Sequence, residues 1–168
     1  MKRLLLVFVL LWPMSLLADF QAGADAYEQK DYASAYREWL PLAEQGVVRA
    51  QYNLGLLYYD GQGVPQDYAK AVKWYRLAAE QGNAEAQVDL GLMYVKGEGV
   101  RQDYSEAVRW WRLAAEQGNA EAQVALGVMY DNGTGVPQGY SEAVRLYRLA
   151  AEQGNAVARY NLVKASKA

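Results

Sequence analysis

The sequence predicts an all-α protein built from repeated helix pairs, and three observations lead to this fold class. The composition favours helix over sheet, because isoleucine is absent, threonine occurs once, and Ala, Leu, Gln, Glu and Arg are frequent. The string Ala-Glu-Gln-Gly recurs four times at a spacing of 36 residues. Each copy also contains two stretches in which apolar residues recur at helical spacing.

The first element, residues 1–18, has the pattern of a secretory signal peptide. Two basic residues precede an uncharged run at positions 4–12, and Ala18 supplies a small residue for cleavage. The run is shorter than the roughly 20 apolar residues that a membrane span needs. We therefore expect cleavage after Ala18, no membrane span after cleavage, and a periplasmic or secreted protein. Cleavage near Ala22 and an uncleaved anchor are the alternatives.

The repeat then divides the remaining chain into five segments. A shortened first repeat at 19–46 is followed by full repeats at 47–82, 83–118 and 119–154, and by a C-terminal capping helix at 155–168. The last two full repeats are identical at 27 of 36 positions. Terminal units of such stacks are commonly atypical, which accounts for the short first and last segments.

Each full repeat carries start, turn and packing residues in a fixed order, as 83–118 illustrates. Asn83 is expected to cap the first helix and Asp103 the second, where Glu106 would complete a capping box. A Gly-rich turn begins at Gly97. Gly91 lies within the first helix and costs helix propensity, so we predict that it permits close approach of another helix.

Tyrosines recur at two positions of the repeat that the helical pattern places inside. We expect them to be core aromatics rather than ligand contacts. They are Tyr58, Tyr94 and Tyr130 in the first helices, and Tyr68, Tyr104 and Tyr140 in the second helices.

Composition excludes several kinds of chemistry. With no Cys and no His, the chain has no disulfide, zinc finger, histidine-ligated metal or Ser-His nucleophile system. A formal charge of −2 gives no electrostatic footprint for nucleic acid. The loop at 131–135 lacks the further acidic ligands of a calcium loop. We therefore predict no enzyme activity, no cofactor, no metal and no nucleic-acid partner.

Basic side chains recur along the second helices in two rows that could bind an anionic polymer. Glu106 and Glu142 precede two members of the first row by three positions, and acidic residues follow the second row by four, so we predict that ion pairs neutralise this face. The first row is Arg37, Lys73, Arg109 and Arg145, and the second row is Arg76, Arg112 and Arg148.

The repeat pattern AxxxLGxxYxxGxGVxxDYxxAxxWxxxAAxxG resembles the Sel1-like repeat, a relative of the tetratricopeptide repeat. The resemblance covers 47–154 three times and 19–46 more loosely. It implies a right-handed α-solenoid of antiparallel helix pairs that acts as an adaptor in protein assemblies. Val47, Gly139 and Leu146 depart from the pattern and weaken two caps and one packing contact. A cysteine-rich branch of the family has been linked with penicillin binding and lactam hydrolysis, and this chain, which lacks cysteine, does not resemble that branch.

Function is expected where the copies differ, on a stripe of the first helices beside the buried face. The resemblance to tetratricopeptide stacks places this stripe on the concave surface, where a protein or peptide ligand from the envelope or the extracellular space would bind. Divergence without function is the competing interpretation. The predicted partner-binding residues are Arg49, Tyr52, Asn53, Leu56, Tyr59, Val88, Asp89, Leu92, Val95, Val124 and Val128.

A second hypothesis is a cell-wall factor that binds or hydrolyses peptidoglycan. It would use carboxylates of the same stripe, such as Asp60, Glu85 and Asp89. Two acids about 5 to 10 Å apart can hydrolyse a glycoside, although nothing in the repeat enforces such a pair.

Overall fold

The computed structural model describes residues 20–165, and every regular element in that range is an α-helix. Helix α1 occupies residues 20–28. The predicted signal peptide and its cleavage site at Ala18 lie outside the described residues, as do the last three residues of the predicted capping helix. The other helices are α2 Tyr32–Glu44, α3 Val48–Asp60, α4 Tyr68–Glu80, α5 Ala84–Lys96, α6 Tyr104–Glu116, α7 Ala120–Asn132, α8 Tyr140–Glu152 and α9 Ala156–Ala165.

Internal contacts divide the chain into two compact units, Met1–Leu77 and Ala78–Ala168. We call them unit 1 and unit 2. In unit 1, α2 packs against α3; in unit 2, each helix from α5 to α9 packs against the next. Among residues 20–165, no helix combines the length and apolar character needed to cross a bilayer.

The predicted helix starts and stops are confirmed in unit 2. The Asn83 side chain accepts a hydrogen bond from the Ala86 amide at 2.7 Å, and Asn119 does the same for Ala122 at 2.9 Å. Gly97 ends α5 in the left-handed region at φ 72°, where a side chain would be strained. These local interactions make each helix begin and end at the same position of the repeat.

The predicted capping box forms only in part. The Asp103 carboxylate accepts hydrogen bonds from the amides of Ser105 and Glu106 at 2.9 and 3.1 Å. The Glu106 side chain does not accept a hydrogen bond from the Asp103 amide, because that amide donates to the Tyr94 carbonyl at 3.0 Å. Glu106 instead pairs with Arg109 at 3.1 Å.

Close approach at the repeated helix glycine is confirmed. A Cβ atom on Gly91 would lie closer than 3.0 Å to the Trp111 indole, and one on Gly127 closer than 3.0 Å to the Tyr147 ring. The Trp111 Nε1 donates to the Val88 carbonyl at 2.9 Å, which holds the ring across the glycine. The missing side chain therefore admits an aromatic ring of the next helix.

The prediction of buried tyrosines at the start of the second helices is wrong for two of them. Tyr104 and Tyr140 are 39% and 62% exposed. Their hydroxyls accept hydrogen bonds from Gln102 and Gln138 of the preceding turn, at 3.0 and 2.7 Å. The rings therefore lie over the turn rather than in the core. Tyr58 is buried, and Tyr94 and Tyr130 are half-buried.

A buried glutamine links successive helix pairs, which sequence reasoning missed. The Gln87 amide is 3% exposed and donates to the Ala79 carbonyl at 3.0 Å. The Gln117 amide in turn donates to the Gln87 side-chain oxygen at 2.8 Å. The Gln87 side chain of α5 is therefore hydrogen-bonded both to α4, the helix before it, and to Gln117, the C-cap of α6. Because the polar atoms are satisfied on both sides, this residue can be buried.

Candidate protein-binding surface

The predicted partner-binding residues fall in both units. Five lie on α3 in unit 1 and six on α5 and α7 in unit 2. We refer to them together as the divergent stripe.

In unit 1, aromatic contacts hold much of the divergent stripe in place. The Arg49 guanidinium lies 4.5 Å from the centre of the Phe20 ring, a cation–π contact. The Tyr52 ring centre is 5.8 Å from that of a tyrosine of α4, and the Tyr59 ring centre is 5.4 Å from another. The two remaining residues, Asn53 and Leu56, are half-buried.

In unit 2, the valines of the stripe belong partly to the core. Val88 and Val95 pack against the core between α6 and α7, and Val124 packs against the core between α8 and α9. Asp89 is half-buried. Leu92 and Val128 are different, because they are 38% and 37% exposed at equivalent positions of successive repeats.

The predicted neutralisation of the basic rows is confirmed for two pairs of the first row. Arg109 contacts Glu106 at 3.1 Å, and Arg145 contacts Glu142 at 2.6 Å. A hydrogen bond from Arg145 lowers the pKa of Glu142 below its usual value. Such exposed pairs contribute about 0 to 1 kcal/mol each.

The predicted pairing of the second row is wrong at Arg112. Its guanidinium donates to the Tyr130 hydroxyl at 3.3 Å, and within residues 20–165 it forms no ion pair with Glu116. An acid four residues after a base is the less favourable order on a helix, because both charges then oppose the helix dipole.

A cleft of about 820 Å³ opens in unit 2 between α7, α8 and α9. We call it the α7–α9 cleft. Val128 of the divergent stripe lies on its wall, and Asp131, which also differs between the closest repeats, lies one helical turn further along α7. The other residues used below are Val144 and Tyr147 of α8, and Asn161 and Lys164 of α9.

Three polar side chains of this cleft are departures from the repeat. Asp131, Asn161 and Lys164 each follow an apolar residue of the preceding repeat by 36 positions. Comparison of the two closest repeats identifies Asp131 but not the other two, because they belong to the helix that the sequence predicts only as a cap. The apolar counterparts are Val95, Ala125 and Val128.

Tyr147 lies at the base of the cleft and is 2% exposed. Burial raises the pKa of its hydroxyl to about 12, and the negative charge of Asp131 adds to the rise. A hydrogen bond with Asn161 opposes it. The cleft therefore places a carboxylate and an amide beside a neutral phenol.

Carboxylates for the peptidoglycan hypothesis are present on the surface. Glu85 and Asp89 are four residues apart on α5 and are therefore neighbours on its surface, whereas Asp60 belongs to unit 1. Within residues 20–165, no group of three or more acidic side chains is arranged to hold a metal ion.

Solved structures of similar proteins include two bacterial ones with substantial identity. A protective antigen of uropathogenic Escherichia coli that displays an SLR fold is 44% identical over 85% of this chain, with a TM-score of 0.81. The alignment covers 32% of that antigen, so this chain spans about a third of its length. A Sel1 repeat protein from Oxalobacter formigenes is 39% identical over 85% of this chain and 59% of its own, with a TM-score of 0.82.

A more distant structure shares the fold alone. Cysteine-rich protein B of Helicobacter pylori is 19% identical over 77% of this chain and 96% of its own, with a TM-score of 0.62. Among curated protein sequences, none matches the chain.

The family model of the Sel1 repeat matches three consecutive segments, 48–83, 84–119 and 120–155. Together they cover 108 of the 168 residues, and the helix pairs described above have the all-α solenoid fold of the similar structures. The chain therefore belongs to the Sel1 repeat family.

Proposed function

We propose that this chain is an exported, non-catalytic adaptor that binds a peptide segment or helix of another protein through the divergent stripe. Sel1 repeats typically form scaffolds for protein–protein interaction, and the family is generally non-catalytic. The adaptor role for this chain, its export and the residues that bind the partner are our extension of that general role.

The observation that supports the proposal best is the exposed apolar pair Leu92 and Val128. Every other apolar position at the centre of α5 and α7 is buried or half-buried, whereas these two side chains are more than a third exposed. Both lie where the closest repeats differ, so the fold does not demand a particular side chain there. Exposed apolar side chains bordered by polar ones are typical of protein-binding surfaces.

The test is capture of a partner from an extract of the cell envelope, read by mass spectrometry. The variant carries Leu92→Glu and Val128→Glu, which should reduce capture at least tenfold, or about 1.4 kcal/mol. The matched control carries the same change at Leu113 and Leu149, which are 38% and 36% exposed on α6 and α8 and also 36 residues apart. Circular dichroism should show equal helicity in both variants.

Equal losses in both variants, or no loss in either, would contradict the proposal. A second variant, Tyr52→Ala with Asp89→Lys, should abolish partner capture while helicity by circular dichroism stays unchanged, and undiminished capture would contradict the proposal.

Export is tested separately by cell fractionation and by sequencing the amino terminus of the purified protein. We expect the mature chain to begin at Asp19, in the periplasm or the medium. A chain that retains residues 1–18 in the cytoplasm would refute export but would leave the binding surface unaffected.

A further inference from the structure

The α7–α9 cleft contains two opposite charges, one on each of its outer helices. Asp131 lies on α7 and Lys164 on α9, and both line the cleft. Within residues 20–165, neither the Asp131 carboxylate nor the Lys164 ammonium forms an ion pair. The exposed Glu106 and Glu142, by contrast, each pair with an arginine three residues away.

The wall of the cleft is partly polar and partly apolar, and the amides of Asn132, Gln138 and Asn161 are among its lining groups. Val128 and Val144 line the cleft, and the buried Tyr147 ring lies at its base. The volume of about 820 Å³ falls in the range of roughly 300 to 1,000 Å³ that is typical of ligand sites. A ligand suited to this cleft therefore carries apolar atoms that cover the valines and charged groups that face Asp131 and Lys164.

Packing does not require these charges. The helices α5, α6 and α7 are the counterparts of α7, α8 and α9 one repeat earlier, and they carry Val95 and Val128 at the positions of Asp131 and Lys164. The two charged residues are 33 positions apart in sequence, on different helices, and yet they line one cleft.

We propose that the α7–α9 cleft binds a peptide segment in which a basic and an acidic residue flank a short apolar stretch. The proposal rests on the adaptor function and adds the chemistry of the segment bound. The basic group would pair with Asp131, the acidic group would pair with Lys164, and the apolar stretch would cover Val144 and Tyr147. Complementary charges of this kind contribute mainly to specificity and to the direction in which the peptide binds.

Other ligand classes fit the cleft less well. A metal ion would find a single carboxylate, whereas hard cations take six or more oxygen ligands. A polyanion would find one ammonium group beside the repelling Asp131. A ligand that carries both charges satisfies both side chains at once.

The experiment measures binding of blocked hexapeptides to the full-length chain by isothermal titration calorimetry. Lysine and glutamate flank one to three leucine or alanine residues in either order, and matched peptides carry glutamine in place of both charged residues. We expect the best charged peptide to bind at least tenfold more tightly than its glutamine counterpart. Binding should also shift the Asn161 side-chain amide resonance, because that group lines the cleft.

Charge variants test the direction of binding. Asp131→Asn should abolish the preference for lysine, and Lys164→Gln should abolish the preference for glutamate. The exchange variant, Asp131→Lys with Lys164→Asp, should invert the preferred order of the two charges. Glu121→Gln, an exposed neutralisation on the same helix α7, is the control and should change nothing.

Equal binding of the glutamine peptides, or an exchange variant that keeps the original order, would overturn the proposal. Free lysine or glutamate binding as tightly as the peptides would overturn it as well. Leu92→Glu lies outside the cleft and separates the two proposals. If this variant loses the partner but binds the hexapeptides normally, adaptor binding and cleft chemistry stand as separate findings. If the charge variants leave hexapeptide affinity unchanged while Leu92→Glu abolishes capture, only the cleft inference fails.

Discussion

Replacing Gly91 by alanine should destabilise unit 2, although alanine is the better helix former. Helix propensity alone favours the change by about 1 kcal/mol. The added Cβ would overlap the Trp111 indole, and overpacking of this kind costs about 2 kcal/mol. Moving the ring also breaks its hydrogen bond to the Val88 carbonyl, which costs about 2 kcal/mol more when the groups are buried. We therefore expect a net loss of about 3 kcal/mol.

The assay is urea and thermal unfolding followed by far-ultraviolet circular dichroism. A loss of about 3 kcal/mol corresponds to a melting temperature lower by roughly 10 °C for a chain of this length. Gly139→Ala is the matched control, because the nearest atom to its Cβ is Tyr130 Cδ1 at 3.4 Å, an ordinary contact. That change should cost about 1 kcal/mol or less, because Gly139 is the N-cap of α8 and alanine is a poorer N-cap than glycine. If the Gly91 variant is as stable as the unaltered chain, the ring does not need the glycine and the reasoning is wrong.

Three further predictions follow from the contacts of unit 2. Asp103→Ala removes the acceptor for two amides at the start of α6 and should lower the free energy of unfolding by about 1 kcal/mol, measured by urea unfolding. Gln87→Met leaves the Ala79 carbonyl and the Gln117 amide without this partner and should lower the free energy of unfolding by about 1 to 3 kcal/mol. A double-mutant cycle with Gln117→Ala should reveal coupling between the two residues, and additive losses would disprove the link. Because burial raises the pKa of Tyr147 to about 12, the folded chain holds this proton more tightly than the unfolded chain, for which the value is near 10. Stability should therefore fall as pH rises from about 10 to about 12, and Tyr147→Phe should lessen that fall in urea unfolding at pH 9 and 11.5.

Local features of the fold could be predicted because they depend on neighbours in the sequence. Asn83 caps the helix that begins at the next residue, and Gly97 ends that helix. The packing role of Gly91 is predictable because glycine lowers helix propensity. A residue that weakens a helix and yet recurs in each repeat must serve packing.

The errors arose where an interaction partner comes from outside the helix. Tyr104 fits the apolar pattern of α6 but lies over the preceding turn, where Gln102 bonds its hydroxyl. Glu106 is spaced correctly for a capping box. However, the Asp103 amide, which Glu106 would have to accept from, donates to the Tyr94 carbonyl instead. In both cases a competing partner outside the helix decided the outcome.

The candidate site was predictable to a smaller extent. Differences between copies point to Leu92 and Val128, and both are exposed. The same comparison does not show that Val88 and Val95 are half-buried against the core, because periodicity does not measure how closely the next pair packs.

The sequence by itself determined the family, the all-α fold class and the residues that start, turn and pack each helix pair, because those features repeat every 36 residues and act over a few positions. Only the tertiary structure decided that Gln87 is buried as a link between pairs and that Asp131 and Lys164 line one cleft. The physical reason is that burial and proximity depend on how helices pack together, and residues 33 positions apart come to line one cleft only when α7 and α9 both pack against α8.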